Sequence, residues 1–302
     1  LPISPLAAPT RAQAPRQAAP VGGDKQVLFG DLHVHTTWSM DAFGLSVPMM
    51  GGTGARPPAD ACTHARWCSG LDFFALTDHA ESLTPEHWAA EKAEMRQCAA
   101  LAGDPADPDL VPFTGFEWTQ VGRTADSHFG HRNVIFKDLD EASLPARPIV
   151  ASGLAREGMK AQGISLGTQV GALIRGLPDL QQYTELLALR QAIANLDPCP
   201  DGPVRELPLD CMEGAETPKD LFAKLDEWGF DTMVIPHGTT WGFYTPPGAT
   251  WEKGLSEEHQ DRDRQRLIEV YSGHGSAEEW RPWQHAAPDG DGWTCPAPDG
   301  DF

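Results

Sequence analysis

The chain is short of positive charge. Its 23 Lys and Arg stand against 43 Asp and Glu, a formal net charge of −20. That leaves no electrostatic footprint for nucleic acid or an anionic membrane. Any phosphate it handled would need local cations or metal. No apolar run approaches the roughly 18 residues of a helical membrane span. None of the six cysteines forms CxxC, which weakens zinc-knuckle and thioredoxin readings. There is no GxSxG elbow, no P-loop, no GxGxxG at a strand–helix turn and no internal repeat. Lysines are few, and none ends a strand candidate.

What is present suits a large domain. The 302 residues are 40% apolar, enough for one large core or two modest ones. Residues 1–24, with "LPISPLAAPTRAQAPRQAAPVGG", are rich in Ala and Pro and read as a disordered leader. Ala12-Gln13-Ala14 has the A-x-A form of a secretory cleavage site, and a plain tail is the equal alternative. Residues 25–302 form the domain proper. The even cysteine count permits disulfides, with Cys62–Cys68 and Cys199–Cys211 as short-range candidates; buried free thiols are the alternative. The expected location is periplasmic or secreted, and otherwise cytoplasmic.

Short apolar runs alternate with helical stretches. Val27–Leu32, "LDFFAL" (71–76), "LVPFTGF" (110–116), "HRNVIF" (131–136), "DTMVIP" (231–236) and "RLIEVY" (266–271) read as strands of a covered parallel sheet. Thr84–Leu101, Leu177–Leu196 and Thr217–Trp228 read as helices, two of them opened by Thr-Pro. This is an α/β pattern of βα units. Most polar clusters follow their strand, at the end where a βα barrel collects function. "HRN" instead stands at the start of its strand.

Those clusters carry the chemistry. In "GDLHVHT", strand alternation predicts Asp31, His33 and His35 on one face. Two neutral imidazoles there can chelate divalent ions, with Asp31 orienting one of them or merely capping a turn. "TDHAE" (77–81), "FEW" (116–118), "HRN" (131–133) and "PHG" (236–238) add further ligand types. Five polar clusters at the edges of apolar strands are hard to assign to packing and point to a joint metal site.

With these blocks, from "GDLHVHTTWS" to "PHG", the chain resembles the polymerase-and-histidinol-phosphatase (PHP) superfamily, in its DUF3604 branch of often secreted bacterial proteins. The resemblance implies a distorted (β/α)7 TIM-like barrel holding two or three divalent ions (Zn, Mn or Fe). It also implies hydrolysis of a small phosphoester. Carried over residue by residue, it implies His33, His35, Asp41, His79, Glu117, His131 and His237 as metal ligands, with Asp31 and Asp78 behind them. Asp41 stands where many such sites place a histidine. The superfamily's final Asp-x-His has no match, although His274 in "SGHG" is a candidate substitute.

The expected activity is that of a metal-dependent hydrolase, a phosphoesterase, in which hydroxide held between cations attacks the substrate. Arg132 is expected at the oxyanion, and His237 or Asp41 at the leaving group. The rivals are an amidohydrolase-like metalloenzyme acting on C–N or C–O bonds and a non-catalytic metal-binding accessory module. Six strands and a missing ligand pair further predict an incomplete barrel, a gap beside His33, His35 and His237, and a continuation beyond Phe302 that fills it.

Overall fold

The computed structural model describes residues 19–21, 25–160, 180–242, 244–254, 256–278, 287–289 and 292–294. Most of the Ala/Pro leader, the predicted helix start at 177–179, Cys295 and the C-terminal tail lie outside them.

The centre is one curled half-barrel sheet of five strands. They are β1 (Gly30–Val34), β2 (Phe73–Leu76), β3 (Val111–Gln120), β4 (Gly130–Phe136) and, later in the chain, β7 (Thr232–His237). Their spatial order is β7-β4-β3-β2-β1. β1, β2 and β3 pair in parallel, while β3–β4 and β4–β7 pair antiparallel. The all-parallel expectation is thus corrected to a mixed sheet. The loop 121–129 is too short for a crossover, so β4 must return antiparallel. This explains "HRN": the start of an antiparallel strand lies beside the ends of its neighbours. His131 pairs with Thr119 and with His237.

The sixth predicted strand does not form. Residues 266–270 belong to no ladder. The segment instead follows the β7 edge through two bonds, Val234 N–H to Arg264 O (3.0 Å) and Glu269 N–H to Pro236 O (3.2 Å). Leu267, Ile268 and Val270 stay exposed there. A separate parallel pair, β5 (Ile149–Ala151) with β6 (Glu213–Ala215), stands apart from the main sheet.

Alternation along β3, β4 and β7 creates two layers. Outward-facing Phe116, Trp118, Val134, Phe136 and Val234 form the main apolar cluster with Trp88. Inward, Ala75, Ile135 and Ile235 pack with Leu32, Phe113 and Met233. The polar ends of the same strands lie above that inner layer.

The described residues include six α-helices: α1 (Met40–Ser46), α2 (Pro58–Thr63), α3 (Pro85–Leu101), α4 (Leu154–Lys160), α5 (Leu180–Ala194) and α6 (Pro218–Trp228). Thr84 caps α3 by accepting from His87 N–H at 3.2 Å, and Thr217 with Asp220 forms a capping box on α6. Gly229 ends α6 at φ 71°, a left-handed turn that a side chain would disfavour. Cys199–Cys211 is bridged as predicted. Cys62, however, pairs with Cys98, not Cys68, which remains free and exposed. The bridge pins α2 to α3, and distance in sequence gave no hint of that packing.

Candidate metal centre

Glu117 is the hub. It is fully buried near the end of β3, and each of its oxygens faces a different set of imidazoles. Oε2 lies 2.9 Å from His35 Nε2 and 3.2 Å from His33 Nε2. Oε1 lies 2.5 Å from His131 Nδ1, 3.3 Å from His237 Nε2 and 3.6 Å from His79 Nδ1. Asp41, in the first turn of α1, faces His79 Nε2 at 3.2 Å and His274 Nε2 at 3.7 Å. Glu269 Oε2 lies 2.7 Å from His33 Nδ1. The sequence therefore missed Glu269, an acid inside the last apolar run. His274 joins the cluster, as its alternative reading allowed. Glu269 lies on the side of His33 and His237, and His274 on the side of His79 and His131.

Three groups of ligand atoms follow, each within 4.8 Å mutually: His35, His79, Glu117 and His274; His33, His237 and Glu269; Glu117, His131 and His237. Bonds of about 2.0–2.3 Å to one ion place its ligand atoms roughly 3–4.6 Å apart. The residues fit such an ion by a second observation. His237 is wholly buried, and neither ring nitrogen has a hydrogen-bond partner. Such an orphan costs about 1–3 kcal/mol unless something else takes its lone pair.

Partners behind the cluster choose which nitrogen faces inward. Asp78 is buried and accepts from Thr36 N–H (2.6 Å), Thr36 Oγ1 (2.5 Å) and Ser39 Oγ (2.8 Å). Ser39 Oγ has then given its proton away. It accepts from His79 N–H at 2.9 Å and sits 2.7 Å from His35 Nδ1. His35 must donate from Nδ1, which leaves Nε2 bare toward Glu117. Thr119 repeats the device: Oγ1 donates to Glu117 Oε1 at 3.1 Å and meets His79 Nδ1 at 2.9 Å. Thr119 N–H is in turn held by Glu81 Oε1, which also accepts from Ala151 N–H. Burial pushes the Glu81 carboxyl up to about 7.

Two sequence expectations need correction here. Asp31 is exposed and accepts from the His33 backbone N–H, not from a ring. The β1–β2 register shifts between Asp31 and Val34, so simple alternation does not carry it inward. Arg132 is buried, but it pairs across the ladder with Trp118 on the outer face, its guanidinium over that indole and donating to Phe129 O. Burial pulls it down to about 9. An inward His131 requires an outward Arg132, so the guanidinium does not face the cluster.

Beside the cluster opens a cavity of about 610 Å³, lined among others by Asp41, His79, His131 and His274. His237 is not among its lining residues. Of the two proton donors considered from sequence, only Asp41 faces this space. Burial alone would raise its carboxyl, but the neighbouring imidazoles, His79 foremost, drive it well below the ordinary range.

The charges of the metal-free centre follow from Glu117. Burial alone lowers His33, but Glu117 and Glu269 outweigh it and push it up to about 9. Burial likewise lowers His79, and Glu117 with Asp41 pushes it up to about 10. Burial dominates at His131, down to about 3, and at His274, down to about 4. The raised pair stands above the free imidazole value of about 6.5. Its charged contacts are therefore fully present below about pH 6.5 and are lost as pH climbs through about 9 to 10. Chelator-treated protein is expected to lose urea resistance across that window, and saturating metal should remove the slope. A flat profile after chelation would mean that these imidazoles are already neutral.

No helix among the described residues is long and apolar enough to cross a membrane. No curated protein and no solved structure matches the chain. Residues 23–108, which include His33, His35, Asp41, Asp78 and His79 but stop short of Glu117, match the model of family DUF3604, a protein of unknown function.

Proposed function

We propose that this chain is a metal-dependent hydrolase acting on a phosphoester. The observation that carries the reading is the buried His237, whose ring nitrogens make no hydrogen bond, beside a carboxylate whose two oxygens face separate histidine sets. Divalent ions at these residues would acidify a water and neutralise charge on a phosphoryl oxygen. The chain's own groups do the positioning. Glu117 joins the ligand sets, Ser39 and Thr119 fix the ring orientations, and Asp41 stands at the cavity to orient water or move a proton. The likeness of "GDLHVHT" and "TDHAE" to the PHP superfamily favours phosphorus over a carbonyl carbon as the electrophile.

Elemental analysis should find two or three divalent ions per chain, in line with the three ligand groups. Aryl phosphomonoesters and diesters should turn over with manganese, zinc or iron, and His33→Ala should abolish this. Metal uptake without turnover of any ester would leave an accessory module instead. Absence of uptake would remove both readings.

The two disulfides support an oxidising compartment, hence export to the periplasm or beyond. Thiol titration of natively isolated protein should spare Cys62, Cys98, Cys199 and Cys211. Six reactive thiols, the full cysteine count, would overturn the export reading.

A further inference from the structure

The cavity beside the cluster has a mixed polar and apolar lining. Its lining includes Asp41, His79 and His131 and also Met40, Val121 and Leu154. Arg190 stands in that lining, four residues after Leu186 on the same face of α5. It is half-buried and has no hydrogen bond or ion pair among the described residues. Elsewhere in this acidic chain, Arg66, Arg123 and Arg264 each hold a carboxylate. A guanidinium kept partly out of water with no counter-ion among the described residues is a receptor for an anion, which it takes as a two-pronged partner. The volume, about 610 Å³, is that of a pocket for a small organic molecule.

We propose that Arg190 is a specificity determinant: the substrate is a phosphoester whose apolar body carries a second anionic group, and Arg190 receives that group. The idea rests on the phosphoesterase reading and extends it to a substrate class. It also meets the charge problem. A doubly anionic ligand is repelled by a net charge of −20, and Arg190 supplies a local cation in the lining of the cavity.

The test uses manganese-loaded full chain and non-hydrolysable ligands in calorimetry at physiological ionic strength. Benzylphosphonate is compared with 4-carboxybenzylphosphonate and its longer 4-(2-carboxyethyl) homologue. At least one carboxylated ligand should bind about tenfold tighter or better, the scale of a charge-assisted contact. Arg190→Gln and Arg190→Leu should cancel that advantage, and Arg190→Lys should keep part of it. Manganese content and the thermal midpoint should hold in all three variants, which separates a contact with ligand from a structural role. Equal affinity of wild type for the plain and carboxylated ligands would overturn the inference, as would an advantage that survives Arg190→Gln. If no phosphonate binds the loaded protein at all, the phosphoester reading itself falls and takes this inference with it.

Discussion

Glu117→Gln is expected to empty the centre. The amide keeps the shape of the side chain and removes its charge, so packing in β3 is nearly unchanged. Both carboxylate oxygens are lost as anionic ligands, however, and each faces a different histidine set. The groups built around His35, His79 and His274 and around His131 and His237 both contain Glu117. Replacing an outer partner of a metal ligand costs about 10–100-fold in affinity or activity. Loss of the shared ligand is expected to exceed about a hundredfold in both. In the metal-free protein the same change has a second reading. Burial would then act on His33 and His79 without Glu117 to oppose it, and both imidazoles should move down from about 9 and about 10. Elemental analysis and histidine proton shifts against pH give the two measurements. Wild-type metal content in a folded Glu117→Gln protein would show that the carboxylate only braces the imidazoles.

Asp78→Ala should be the next most damaging change, although Asp78 touches no candidate ligand atom directly. It deprives Thr36 N–H of its acceptor and frees the Ser39 hydroxyl. Stranding buried donors of this kind costs about 1–3 kcal/mol each. The freed hydroxyl can turn its proton toward His35 Nδ1, and that ring then has no fixed tautomer. Metal affinity should fall about 10–100-fold, alongside a lowered urea midpoint. Ser39→Ala separates the two effects, because it removes the relay to His35 while leaving the Asp78–Thr36 pair in place. A Ser39→Ala protein with wild-type metal affinity would assign Asp78 to the fold alone.

Local signals were legible in the sequence because they depend on neighbours along the chain. The caps at Thr84 and Thr217 needed only the Thr-Pro pairs, and the helices α3 and α6 begin there. The apolar runs of β2, β3, β4 and β7 were long enough to read, and the polar residues at their ends marked the side of the sheet where ligands gather. His33, His35, Asp41, His79, Glu117, His131 and His237 are brought together in the fold as the blocks suggested.

What failed to show was whatever depends on direction or on partners distant in sequence. Strand polarity is invisible in composition, so the antiparallel return of β4 was not anticipated, although "HRN" at the start of its run was the trace of it. Arg132 is a neighbour of His131 in sequence and lies across the sheet from it in space, because adjacent strand residues face opposite ways. Cys98 reaches Cys62 through helix packing, and no spacing rule encodes that distance. Glu269 and Arg190 carry no motif at all. One becomes a candidate ligand because its segment lies along the β7 edge, the other a candidate anion receptor because α5 lies over the cavity. The residue types able to hold a metal, and the presence of most central strands, could be read along the chain. Which of those residues meet could not, because ligand geometry is set by the register and curl of the sheet, and those are collective properties of strands far apart in the chain.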